Sequence, residues 1–126
     1  MTAFVLFAHG SRIEAANEAV REVAKKMAGS GGFSVEPAFL ELGKPDLAGA
    51  IDRLAARGAA RIIVLPYFLT LGTHLQRDLP KLVRDSASRH PGVEVEAAAP
   101  LDGHPALLEV LLDRAHEALA RTFKAV

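Results

Sequence analysis

Two histidines stand just beyond short apolar runs. His9 follows Ala3–Ala8 in AFVLFAHGSR, and His74 lies beyond Ile62–Tyr67 in IIVLPYFLTLGTH. Imidazole binds first-row divalent ions, and with an unperturbed pKa of about 6.5 it also exchanges protons near neutrality. Glu41 follows a third run in AFLELGKPD. Two imidazoles and a carboxylate make an open ligand set for a divalent first-row ion, and such ligands do not select among iron, cobalt, nickel and zinc. Arg12 beside His9 and Arg77 beside His74 offer guanidinium groups to a carboxylate or phosphate. The bland alternatives stay open: a packed histidine, a loop carboxylate paired to Lys44, a solvated surface arginine.

Local chemistry around these residues is readable. Gly10 permits a tight turn or the close approach of a ligand. Ser11 and Glu14 form Ser-x-x-Glu, the pattern of a capping box at a helix start, where unpaired amides also favour anions. Asp46, after Pro45, is placed to cap the next helix. Thr73-x-x-Gln76 looks like another capping box, but it would put Pro80 inside the helix. The spacing therefore predicts a helix starting near Asp78, with Pro80 in its first turn and His74 in a loop. His90 reads as a residue favoured by a helix C-terminus. His104 and His116 belong to the last helical segment and read as structural or surface residues.

The elements that must position these side chains alternate regularly. Strands are predicted at Ala3–Ala8, Phe33–Leu40, Ile62–Tyr67 and Val93–Ala98. The first and third are continuously apolar, as in central parallel strands covered on both faces. Glu36 in the second, and Glu94 and Glu96 in the fourth, suit more exposed edge strands. Helical stripes fall between them: Ile13, Val20, Val23 and Met27; Leu47, Ile51 and Leu54; Leu79, Leu82 and Val83; Leu107, Leu111, Ala115 and Leu119. The result is an α/β fold, a small doubly wound parallel four-stranded sheet with helices on both faces. With strand order 2-1-3-4, His9 and His74 both lie at the carboxyl edge, by the point where the chain reverses direction. The last helix is apolar on more than one face, which fits either burial on the sheet or self-association.

Composition narrows the function classes. A chain of 126 residues fits one domain spanning 1–126. Fifteen basic residues balance fifteen acidic ones, which argues against nucleic acid as partner. There is no cysteine, so disulfides, thiolate metal sites and cysteine nucleophiles are excluded. The leading apolar run is too short for a signal peptide or membrane span, so a cytoplasmic protein with no membrane partner is expected. No Gly-x-Gly-x-x-Gly, P-loop or Gly-x-Ser-x-Gly occurs. A phosphohistidine phosphatase wants an arginine just before the histidine, and that position is Ala8.

HGSR with Asn17 nearby, AFLELGKPDL, RIIVLPYFLTLGTH and HPGVEVEAAAPLDGHP together resemble the CbiX-type sirohydrochlorin chelatases in their short, single-domain form. The resemblance covers nearly the whole chain. It implies the chelatase variant of the doubly wound sheet and a chelatase of the lyase class. The reaction it implies is insertion of a divalent ion into sirohydrochlorin, for cobalamin or siroheme biosynthesis. The ion is substrate, Co2+ first with Fe2+ or Ni2+ as alternatives, and no organic cofactor is needed. By the same resemblance His9 and His74 contact the metal and Glu41 completes the catalytic set. Ser11, Arg12, Lys44 and Arg77 receive the macrocycle's carboxylates, Phe68, Leu69 and Leu71 flank its ring, and two copies pair as a homodimer. The competing expectation is a non-catalytic metal or tetrapyrrole carrier on the same fold.

Overall fold

The computed structural model describes residues 1–121; of the expected domain, residues 122–126 lie outside the described residues. The chain alternates strand and helix as β1 (Thr2–Ala8), α1 (Glu14–Gly31), β2 (Ser34–Phe39), α2 (Leu47–Ala56), β3 (Arg61–Pro66), α3 (Thr73–Ser86), β4 (Glu94–Ala97) and α4 (Pro105–Ala120). The four strands form one parallel sheet in the order β2-β1-β3-β4. The expected fold class and strand order are therefore observed, with helices on both faces.

Alternation along the strands decides where the core lies. Ala3, Val5 and Phe7 of β1 and Ile62 and Val64 of β3 meet Leu47, Ile51 and Leu54 of α2 and Leu79 and Val83 of α3 in one buried cluster. Alternate strand residues share one sheet face, so every second apolar residue enters this layer. Asp46 caps α2 as expected, its Oδ1 accepting from the Gly49 amide at 2.8 Å. The other face is thinner. There α1 buries only Asn17 and Ala24, and Ile63 and Leu65 of β3 stay half-buried. The outer face of β3 is thus less deeply covered than its continuous apolar run implies.

Four further expectations are corrected. α3 begins at Thr73 with Gly72 as its N-cap, and Pro80 lies inside it. Leu75 packs on the core one turn before buried Leu79, so the apolar stripe extends a turn earlier than was read, and Pro80 sits on the exposed side. His74 consequently belongs to a helix rather than a loop. Ser11 forms no capping box with Glu14: the N-cap of α1 is Ile13, without a side-chain cap, and Ser11 Oγ instead accepts from the Ile13 amide at 3.0 Å. Glu36 is buried despite its edge strand, because Arg53 of α2 and Arg57, the C-cap of that helix, reach its carboxylate. His90, read as a helix-dipole residue, bonds Asp52 Oδ1 of α2 at 2.7 Å. Among the described residues α4 is not buried on the sheet: none of its residues is buried, and Leu108, Val110, Leu111, Leu112 and Leu119 are exposed. Among the described residues no helix is long and apolar enough to cross a membrane.

Candidate functional site at the carboxyl edge of the sheet

The site forms where β1 and β2 end side by side. β1 pairs with β2 up to Ala8 and Phe39, and the pairing continues past both strands. Leu40 donates to Ala8 O at 2.9 Å and Glu41 to His9 O at 3.0 Å. His9 and Glu41 thus leave the sheet as neighbours. Their side chains meet, with His9 Nε2 3.5 Å from Glu41 Oε1 and more than half of each exposed. Glu41 therefore faces His9 rather than Lys44.

His9 Nδ1 lies 3.1 Å from the Gly10 carbonyl. A carbonyl only accepts, so this bond puts a proton on Nδ1; in the neutral ring Nε2 is then an acceptor, and in the protonated ring it donates to Glu41. In the neutral ring Nε2 and the Glu41 carboxylate face one another as acceptors, a pair that a proton placed between them satisfies.

Gly10 makes that approach possible. Its φ is +93°, and a Cβ there would fall 1.7 Å from Glu41 O. Only a residue without Cβ adopts this conformation and admits the neighbouring carbonyl.

Asn17, in the second turn of α1, ties the two loops from behind. Its Oδ1 accepts from the Ser11 amide, and its Nδ2 donates to Ser11 O and to Leu42 O, each at 2.9 Å. Leu42 holds a φ of +57°, a left-handed conformation that a branched side chain adopts only when its surroundings fix it. Sequence reading singled out Asn17 as a motif residue but missed this role. Its partners are backbone atoms, one of them 25 residues away, and the only signal was the spacing of an asparagine from HGSR.

Beside Glu41 opens a cleft of about 610 Å³ lined by Glu14, Arg21, Phe39, Lys44 and Asp46 among others. The Arg21 guanidinium in that lining lies 5.4 Å from the centre of the Phe39 ring. A hydrogen bond from Arg21, and then its charge, hold the Glu14 carboxyl below its ordinary range.

His74 arrives separately. β3 leaves the sheet beside β1, where Tyr67 donates to Phe7 O at 2.7 Å, and the chain then enters α3. His74 Nδ1 lies 3.2 Å from an Arg77 Nη. A guanidinium only donates, so Nδ1 is the acceptor and the neutral ring carries its proton on Nε2. Arg77 also pairs with Asp78. Among the described residues no three His, Cys, Asp or Glu side chains gather closely enough to hold a metal ion. His9 and Glu41 are brought together, and His74 does not complete a set with them. Of the remaining expected residues, Phe68 packs edge-on against Phe7 at 6.0 Å, whereas Arg12, Lys44 and Leu69 are exposed.

Comparison with known proteins agrees with this architecture. The chain is 32% identical to a sirohydrochlorin cobaltochelatase of Methanopyrus kandleri, over 94% of this chain and 98% of that one. It is 35% identical to the sirohydrochlorin cobaltochelatase of Saccharolobus solfataricus, over 98% and 100%. A chloroplastic sirohydrochlorin ferrochelatase of Arabidopsis thaliana is 35% identical over 92% of this chain, which spans 52% of that protein's length. Among solved structures, a CbiX protein from Marinobacter aquaeolei superposes with a TM-score of 0.86 at 29% identity, over 97% of this chain and all of that one. SirB from Bacillus subtilis, at 22% identity and a TM-score of 0.84, shares the fold, and this chain spans 49% of its length. Residues 3–118 match the CbiX family model, and the chain belongs to the CbiX family.

Proposed function

We propose that this chain is a chelatase that inserts a divalent metal ion into sirohydrochlorin, with Co2+ as first choice and Fe2+ or Ni2+ as alternatives. The observation that carries this reading is the His9–Glu41 pair, an imidazole nitrogen and a carboxylate oxygen 3.5 Å apart in a chain similar over nearly its full length to sirohydrochlorin cobaltochelatases.

Insertion exchanges two pyrrole N–H protons for one divalent ion. The protein must hold the ion loosely, present it to the ring and accept the protons. His9 Nε2 and Glu41 offer the ion an open two-residue seat. A closed four-ligand site would retain it, as structural zinc sites do. His74 is the second metal contact and a proton acceptor, and Arg77 must release Nδ1 before that nitrogen takes either. Ser11, Arg12, Lys44 and Arg77 receive the carboxylates on the rim of the macrocycle. Phe68 and Leu69 flank its ring. No organic cofactor enters the reaction.

The active form in this reading is a homodimer. The exposed leucines of α4 and the half-covered outer face of β3 are apolar surfaces that a second copy would remove from water.

The test is an anaerobic absorbance time course with sirohydrochlorin and Co2+, Fe2+ or Ni2+ offered separately, beside the uncatalysed reaction and His74→Ala. Acceleration lost in the variant supports the chelatase and ranks its metals. Saturable macrocycle or metal binding without acceleration replaces it with a carrier.

A further inference from the structure

We infer that Asn17 is a positioning residue that sets the separation of His9 and Glu41. This rests on the chelatase reading of the pair and extends it to a residue that touches neither metal nor macrocycle. Asn17 is 2% exposed, and all three of its side-chain hydrogen bonds go to the backbone of the two loops that carry the pair: two to Ser11, after His9, and one to Leu42, after Glu41. A helix residue with only a packing task needs no amide group. Here the amide matches one donor and two acceptors, with no buried polar side-chain atom left unpaired among the described residues.

The clamp acts where strain would otherwise open the loops. Leu42 is held left-handed, and Gly10 lies against Glu41 O with no room for a Cβ. Neither arrangement is the resting preference of a free loop. Asn17 holds both loops to α1, so the Glu41 backbone cannot slide along that of His9. Residues that orient metal ligands from behind typically change metal affinity or activity by about 10–100-fold when replaced.

Asn17→Asp tests the clamp. It keeps the acceptor for the Ser11 amide but turns a carboxylate oxygen toward two carbonyls. Co2+ alone is titrated by calorimetry into wild type, Asn17→Asp, Glu41→Gln and the double variant, and amide hydrogen exchange is followed at Leu40 and Glu41. The expected result is Co2+ affinity about tenfold weaker in Asn17→Asp, with no further loss when Glu41 is already Gln. Exchange should quicken at Leu40 and Glu41 while the amides of β3 stay protected. A merely structural role gives equal losses in both backgrounds, or exchange that quickens throughout the sheet. Asn17→Ala is read in the same way should Asn17→Asp not fold, and failure of both to fold assigns Asn17 to stability alone and overturns the inference.

The two readings fail separately. Wild-type Co2+ affinity in Asn17→Asp overturns the clamp and leaves the chelatase standing. Co2+ binding with no insertion of Co2+, Fe2+ or Ni2+ into sirohydrochlorin overturns the chelatase and leaves the clamp. Wild-type protein that neither binds nor inserts Co2+, Fe2+ or Ni2+ overturns both.

Discussion

His9 and Glu41 are joined twice, by a backbone hydrogen bond of 3.0 Å from the Glu41 amide to the His9 carbonyl and by a side-chain approach of 3.5 Å. The first contact extends the β1–β2 ladder beyond the sheet. The second brings an imidazole nitrogen and a carboxylate oxygen to one spot. The ladder supplies the rigidity, and the exposed side chains supply the groups on which the proposed chemistry rests.

This division separates activity from stability. His9→Ala is expected to lower metal insertion by at least about a hundredfold, and Glu41→Gln by about tenfold. Both side chains are more than half exposed, so urea unfolding should change by no more than about 0.5 kcal/mol in either variant. Full insertion activity in His9→Ala would remove the imidazole from the mechanism.

Gly10→Ala should do the reverse and damage both. The added Cβ meets a backbone oxygen, not a movable side chain, at a φ that L residues rarely adopt. A loss of about 2–4 kcal/mol is expected, together with insertion at least tenfold slower. Denaturant melts and the absorbance assay check the two halves, and unchanged stability would mean that the loop accommodates a methyl group.

Association through α4 is tested by Leu111→Glu. Leu111 is 66% exposed within the chain, so the substitution disturbs little in a lone copy and places charge in an apolar contact between two. Sedimentation velocity should show a dimer for wild type and a monomer for the variant. A wild-type monomer at tens of micromolar would refute the dimer.

A small acid sensitivity is expected from Glu14. Its carboxyl is lowered by the hydrogen bond and then the charge of Arg21, so the pair's contribution is present above the ordinary carboxylate range. It is lost as pH falls through the lowered folded value. The pair is exposed, which keeps the effect slight. Between pH 7 and pH 3 the urea midpoint should fall slightly less in Glu14→Gln than in wild type, and identical falls would show that the pair contributes nothing.

Much of this was legible in the residues. Continuous apolar runs at Ala3–Ala8 and Ile62–Tyr67 mark the two central strands, as parallel strands flanked on both edges read, although β3 carries its run with one face only half-buried. His9 and Glu41 then fall at the same sheet edge by counting alone. What failed depended on tertiary context. Pro80 suggested a late start for α3, yet anchoring by Leu75 and Leu79 outweighs one missing hydrogen bond on the exposed side. Ser11 has the spacing of a cap, but Asn17 takes its backbone and pulls it out of helical register. Glu36 looked like a solvated edge residue because its arginine partners lie on another element. The period of α4 shows an apolar face without naming the surface that covers it.

The Asn17–Leu42 bond spans 25 residues, and that span has a consequence for how the chain acquires its site. Its ends meet only after α1 has docked and β2 has zipped onto β1, so the site is a product of long-range closure. A peptide ending before residue 40 would contain His9, Gly10, Ser11 and Asn17, yet no facing carboxylate and no second loop to clamp. On the ribosome, therefore, the imidazole emerges long before its carboxylate partner, and the two face one another only once the first crossover is complete.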